Sequence, residues 1–231
     1  MIINKNLSKM NTNYHLAFEY LESKFSNDDK NYRVLDVGAA ENPWGKEWIT
    51  HIADKFVEPK NISKVYDNDI TVFKTDIDDP RDWQEIMDDV EKNGMFDFVI
   101  CSHTLEDVNN PKIACEFINM VGKAGFISMP SKYAELTTFE TYYSNLRYCG
   151  YHHHRWIYQI RNDVLVGTPK MNFHDNVDFP FNQGKALHTE IAFLWEDGFD
   201  YEFLYPNEML DNRNGDNRVA ELFEDDDLIL K

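Results

Sequence analysis

Apolar residues fall along this chain in two rhythms. Short, mainly apolar runs lie at Arg33–Val37, Trp48–Asp54, Ile70–Thr75, Phe96–Cys101 and Gly125–Pro130, and these read as buried strands. Between them, apolar residues recur every three or four positions, as on one face of a helix. One such set is Tyr14, Ala17, Phe18, Leu21 and Phe25; a second is Trp83, Ile86, Met87 and Val90; a third is Ile113, Phe117, Met120 and Val121. Asn11, Thr12 or Asn13 can cap the first helix. Asp79-Pro80 opens the second and Gly94 closes it, while Asn110-Pro111 opens the third and Gly122 closes it. Strands alternating with helices predict parallel pairing and right-handed crossovers. The expected class is therefore α/β, a Rossmann-like, doubly wound, mostly parallel sheet with its site at the carboxyl ends of the strands.

Beyond Pro130 the rhythm changes. Ser131–Tyr148 is aromatic and polar, with Tyr133, Phe139, Tyr142, Tyr143 and Tyr148, and suits a lid or acceptor loop. Trp156–Arg161 and Val164–Gly167 predict a hairpin turning at Asn162-Asp163. Ile191–Trp195 and Phe199–Tyr205 predict a second, turning at Glu196-Asp197-Gly198. The sheet is thus expected to finish in antiparallel strands. Residues 1–12 are polar and expected to fray. The sequence divides as one domain over 1–231: an N-terminal helix in 1–30, a core in 31–130, an insertion with hairpins in 131–210, and an acidic, partly disordered tail in 211–231.

Charge narrows the partners. The chain has 231 residues with 41 acids against 23 bases, a net charge of −18, and no dense Lys/Arg stripe. That argues against a nucleic-acid or anionic membrane partner and favours a neutral or cationic small molecule, or a neutral glycan. No apolar run is long enough for a membrane span, and Met1–Asn6 is too polar for a secretory signal. Cys101, Cys115 and Cys149 are an odd, widely spaced set, expected to be reduced thiols in a cytoplasmic protein. A homodimer is compatible with all of this.

The candidate chemistry gathers at predicted strand ends. Asp36 ends the first strand, and Gly38 makes the tight turn that lets a ligand approach the main chain. Asp54 stands 18 residues after Asp36 at the next strand end, the spacing of acids that bind ribose hydroxyls, although an exposed acid there would serve as well. Asp76 follows the third strand, with Ile77 beside it. Ser102 and His103 form a polar mouth after the fourth.

Two segments carry a family resemblance. Asp36-Val37-Gly38-Ala39-Ala40-Glu41-Asn42 resembles the first motif of class I S-adenosylmethionine (SAM)-dependent methyltransferases, (Asp/Glu)-x-Gly-x-Gly-x-Gly, with only the first glycine kept. Asp97-Phe98-Val99 followed by Leu105-Glu106-Asp107-Val108 is similar to that family's fourth strand and its Leu-Glu-(His/Asp)-Val sequel. The resemblance implies SAM as cofactor and S-adenosylhomocysteine as product. Asp36, Gly38 and Ala39 would then shape the methionine end, with Ser102 at the fourth strand's mouth. Asp54 would hold the ribose, Asp76 would accept from the adenine amino group, and the Ile77 amide would meet the ring.

Tyr151-His152-His153-His154-Arg155-Trp156 is the other notable run. If it is extended, His152 and His154 share a face and His153 points away. His153 or His154 could take the proton from an attacking hydroxyl, with His103 the competing base, or the run could be a plain hydrogen-bonded loop. Without HExxH or CxxC spacing no metal site is assigned, although Glu106 and Asp107 could place a divalent ion near the acceptor. The Tyr-x-His-His-Arg-Trp run also resembles a segment of methyltransferases linked to glycan decoration. Together these imply a SAM-dependent O-methyltransferase acting on a sugar or glycan hydroxyl. The alternatives are methylation of a phenol or amine, or a non-catalytic partner that keeps the fold. A nicotinamide-dependent oxidoreductase would want Gly-x-Gly-x-x-Gly after the first strand, and the chain lacks it.

Overall fold

The computed structural model describes residues 1–8, 13–25, 32–39, 45, 47–58, 70–140, 147–171 and 189–204, with backbone alone at 7–8, 138–140 and 147–148. In chain order the strands are β1 (Ile2–Ser8), β2 (Val34–Val37), β3 (His51–Ala53), β4 (Thr71–Phe73), β5 (Phe98–Ser102) and β6 (Ala124–Pro130), then β7 (Thr138–Glu140), β8 (Arg147–Cys149), β9 (Trp156–Arg161), β10 (Val164–Pro169), β11 (Glu190–Glu196) and β12 (Asp200–Phe203). The helices are α1 (Tyr14–Lys24), α2 (Gln84–Asn93), α3 (Pro111–Val121) and the single turn α4 (Lys132–Glu135).

A seven-stranded sheet carries the fold, in the order β1-β11-β6-β5-β2-β3-β4. β4, β3, β2, β5 and β6 are parallel, and β11 and β1 close the far side antiparallel. This is the doubly wound, mostly parallel sheet the strand–helix alternation predicts. Its inner strands β2, β5, β6 and β11 are buried on both faces, which explains their mainly apolar runs. Leu35, Val99, Cys101 and Ile127 face α2, α3 and the small sheet. Val34, Phe98, Ile100 and Phe126 face α1 through Leu16, Ala17 and Leu21. All three cysteines are free and buried, and among the described residues no helix is long and apolar enough to cross a membrane.

The first C-terminal hairpin forms as expected. β9 and β10 pair antiparallel, and Asn162 and Asp163 both take positive φ, 50° and 61°, the twist a two-residue hairpin turn needs. The second does not form. β11 lies inside the large sheet between β6 and β1, with Ala192, Phe193 and Trp195 fully buried. After the left-handed Asp197 and Gly198 the chain leaves for another sheet, where β12 pairs parallel with β10. Burial on both faces draws β11 into the core, which a terminal hairpin could not offer.

Three further expectations change. The polar N-terminus is not frayed over Ile2–Ser8: it pairs with β11 and satisfies an edge that would otherwise bare its backbone groups. Asn13 stands at the α1 cap position, yet its side chain donates to Glu190 at 2.8 Å instead of capping. α2 begins at Gln84, past Asp79-Pro80, because Asp79 is spent on the amide (3.0 Å) and guanidinium (2.9 Å) of Arg81 in a run of turns. Of the expected aromatic loop, Tyr142 and Tyr143 lie outside the described residues, as does the acidic tail 211–231.

Candidate functional site

The carboxyl ends of β2, β3, β4 and β5 surround a cleft of about 340 Å³. It lies where the winding reverses: β3 flanks β2 on one side and β5 on the other. Open α/β sheets leave their ligand crevice at such a switch point, and the volume suits a small molecule. Gly38, Asp54, Asp76, Ile77 and His103 all line it.

Gly38 has φ +75°, and a Cβ there would fall 2.3 Å from the Thr104 side chain. Its amide donates to the Ala53 carbonyl at 2.8 Å. The turn after β2 is thereby locked between the β3 end and the mouth of β5, which explains why this glycine is kept. Ala40, Glu41 and Asn42, which replace the rest of the glycine pattern, lie outside the described residues. Ala39 is buried in the α1-side core and does not line the cleft.

Asp36, within β2 two residues before Gly38, is 2 % exposed and does not itself line the cleft. Its Oδ2 has no hydrogen-bond partner among the described residues. Burial, and then the charge of Asp54, raise its pKa from 3.8 to about 8. An acid so placed is short of a cation.

Asp54 Oδ1 accepts from the amides of Phe56 at 2.6 Å and Val57 at 3.1 Å, which folds the 54–57 turn around it. The turn carries Phe56 over the cleft with 81 % of its surface exposed. An apolar ring left so bare asks for a flat partner. Across the cleft the Lys55 ammonium pairs with Asp76. Asp78 accepts from the amides of Asn109 (2.9 Å) and Asn110 (2.8 Å), tying the loop after β4 to the start of α3 rather than to α2.

His103 follows β5 in a left-handed conformation, φ 49°. Its Nε2 meets Glu190 at 2.7 Å and its Nδ1 meets Glu106 at 3.4 Å. Burial acts to lower its pKa, but the two buried carboxylates outweigh this and hold it at about 9. At neutral pH it is an imidazolium with both nitrogens facing acids. Ser102 turns to Ser128, 2.8 Å between hydroxyls, and does not line the cleft. Tyr14, at the start of α1, reaches Ser102 and lies near Glu190 and Asp36.

His153 and His154 stand at the outer rim. The 151–154 segment is a turn, not extended, so both neighbours face Asp107, which lines the cleft. Nε2 of each lies 3.9 Å from Asp107 Oδ1. His154 Nδ1 meets Glu135, fully buried, at 2.6 Å. The segment is sewn to the sequel of β5 by Arg155 N–H to the Glu106 carbonyl (2.6 Å), Trp156 Nε1 to Val108 (2.9 Å) and Tyr158 Oη to Leu105 (2.8 Å).

No family model and no curated protein matches the chain. Among solved structures it is similar to a SAM-dependent methyltransferase from Anabaena variabilis, with 9 % identity over 79 % of this chain and 83 % of that one, TM-score 0.45. A second, from Clostridium acetobutylicum, shows 11 % identity over 80 % and 90 %, TM-score 0.44. An O-methyltransferase family protein from Burkholderia thailandensis shows 14 % identity over 52 % of this chain and 39 % of that one, TM-score 0.36. Likeness at this level adds nothing to function, which must be read from the residues of the cleft.

Proposed function

We propose that the chain is a SAM-dependent methyltransferase whose acceptor presents a hydroxyl, most simply on a sugar or glycan. The observation that carries the proposal is the convergence of Gly38, Asp54, Asp76 and His103 on the switch-point ends of adjacent parallel strands, with Asp36 buried in β2 two residues before Gly38.

The residues suit the cofactor part by part. Asp36, buried with an unpartnered oxygen, fits a cationic amine better than any neutral group. Asp54, already holding the turn, presents carboxylate to a ribose diol. Phe56 offers a bare face for a purine, and Asp76 with the Ile77 amide offers a hydrogen-bonding edge. Bound there, SAM supplies a methyl group already activated by its sulfonium sulfur. The protein's work is then to hold donor and acceptor in line and to exclude water.

His103 suits an electrostatic and orienting role, not that of the base, because its nitrogens are committed to Glu106 and Glu190. The acceptor's hydroxyl belongs instead at the corner made by Asp107, His153 and His154, the polar group at the open rim. The acidic surface, net charge −18, suits a neutral acceptor and disfavours nucleic acid.

The test is incubation with SAM and a panel of sugars, phenols and amines, read by mass spectrometry for the mass of about one added methyl group, ~14 Da, per acceptor. Transfer to a sugar supports the reading. Transfer only to amines moves the acceptor class, and no transfer by a chain that binds SAM points to a non-catalytic partner.

A further inference from the structure

We propose that Asp107, His153 and His154 form a binding site for a divalent first-row metal ion, of the zinc type, at the rim of the cleft. The ligand atoms of the three residues lie within 4.8 Å of one another. Each imidazole Nε2 stands 3.9 Å from the same carboxylate oxygen, Asp107 Oδ1. That is too long for a hydrogen bond. Zinc–ligand bonds of about 2.0–2.2 Å set tetrahedral ligand atoms roughly 3.4 Å apart, so modest inward rotation closes the set. His153 and Asp107 can make that movement, since their side chains are 67 % and 45 % exposed.

The third ligand is already fixed. His154 Nδ1 lies 2.6 Å from Glu135, so the ring donates Nδ1–H to the carboxylate and turns the Nε2 lone pair toward Asp107. A carboxylate behind a histidine is the arrangement that orients metal-ligating imidazoles. Glu135 is itself held, its other oxygen accepting from Lys170 at 2.8 Å, while Lys170 also donates to the Tyr151 carbonyl at 2.7 Å. The loop bearing both histidines and the acid beneath it therefore form one braced unit. Burying a glutamate to aim one imidazole is costly, and aiming a lone pair at an ion gives it a purpose.

Two imidazoles and one carboxylate select a borderline ion such as zinc over magnesium, which prefers all-oxygen surroundings. Three protein ligands leave a position open, as in sites that bind substrate. For the acceptor, the inference rests on the methyltransferase reading above. The open position would take the acceptor's hydroxyl and ease loss of its proton to water.

The experiment uses the full, untagged chain and the metal alone. Equilibrium dialysis against zinc chloride, with cobalt(II) substitution followed by visible absorption, reads the site without any acceptor. The expected result is one equivalent bound, with tetrahedral cobalt bands, and affinity at least about tenfold weaker in His153→Ala and in Asp107→Asn. His153 is exposed, so its variant leaves the fold intact, which circular dichroism checks. No saturable zinc binding by the wild-type chain, or binding unchanged in His153→Ala, overturns the site. Zinc bound by a chain that methylates nothing keeps the site and removes the methyltransferase reading. Methyl transfer undiminished by a chelator, with no zinc bound, keeps that reading and removes the site.

Discussion

Asp36→Asn should make the protein more stable at alkaline pH. The wild-type carboxyl is buried and feels the charge of Asp54, and together these raise its pKa from 3.8 to about 8. Between those values the unfolded chain has released this proton and the folded chain has kept it. Wild-type stability therefore falls as pH rises through that window and levels off above it. About 4 units separate the two values, and at ~1.4 kcal/mol per unit the limiting cost is roughly 6 kcal/mol. Relaxation of the ionised site recovers part of this, leaving a gain of ~2–4 kcal/mol for asparagine at pH 8.5. For a chain of this size that is a rise in melting temperature on the order of 10 °C. At pH 4, close to the unfolded value of 3.8, little of this cost has accrued, and the near-isosteric variant should nearly match the wild type. The assay is urea or thermal unfolding of both proteins across pH 4–9, taking the difference at each pH so that other groups cancel. A difference that stays flat with pH, or a variant less stable at pH 8.5, refutes the claim that Asp36 is held as a buried acid. The stabilised variant should also lose affinity for a cationic ligand, as expected where function maintains strain.

Other consequences are more local. Asp54→Asn keeps an acceptor for the Phe56 and Val57 amides but loses the charge; it should fold normally and bind S-adenosylhomocysteine ~1–3 kcal/mol more weakly, as read by calorimetry. Phe56→Ala should change stability by less than about 0.5 kcal/mol, since the ring is 81 % exposed, yet weaken binding of the nucleoside by ~1–3 kcal/mol if a base stacks there. Glu190→Gln leaves His103 with Glu106 as its remaining carboxylate, so its pKa should fall from about 9 toward the ordinary value near 6.5; imidazole proton shifts followed by NMR against pH would show it.

The sheet was legible because its inner strands are buried on both faces and so appear as mainly apolar runs, Phe98–Cys101 above all, with Asp36 the one break in Val34–Val37. The same rule made β11 ambiguous. Ile191–Trp195 has the run of a core strand, but local spacing to Phe199 suggested a hairpin, and nothing nearby in sequence marks β1, some 190 residues away, as its partner (Ile2 opposite Trp195). The strand-tip acids were readable from spacing. Their partners were not, since Glu190 reaches His103 from 87 residues on and Glu135 reaches His154 from 19 back. Phe56 is the residue a sequence reading could have found, as an aromatic two places past a strand-tip acid. The sequence left the histidine run open between an extended segment and a hydrogen-bonded loop, because the turn depends on bonds from Arg155 to the distant carbonyls of Glu106 and Asp107.

The most direct measurement is titration calorimetry of the full chain with S-adenosylhomocysteine at pH 6.5, repeated in buffers of different ionisation enthalpy. If the amine end settles on Asp36, whose pKa of about 8 keeps it protonated at that pH, binding should be one-to-one and release about one proton, and the release should vanish in Asp36→Asn. A folded chain that takes up no S-adenosylhomocysteine at a concentration of about 1 mM would contradict the account at its root.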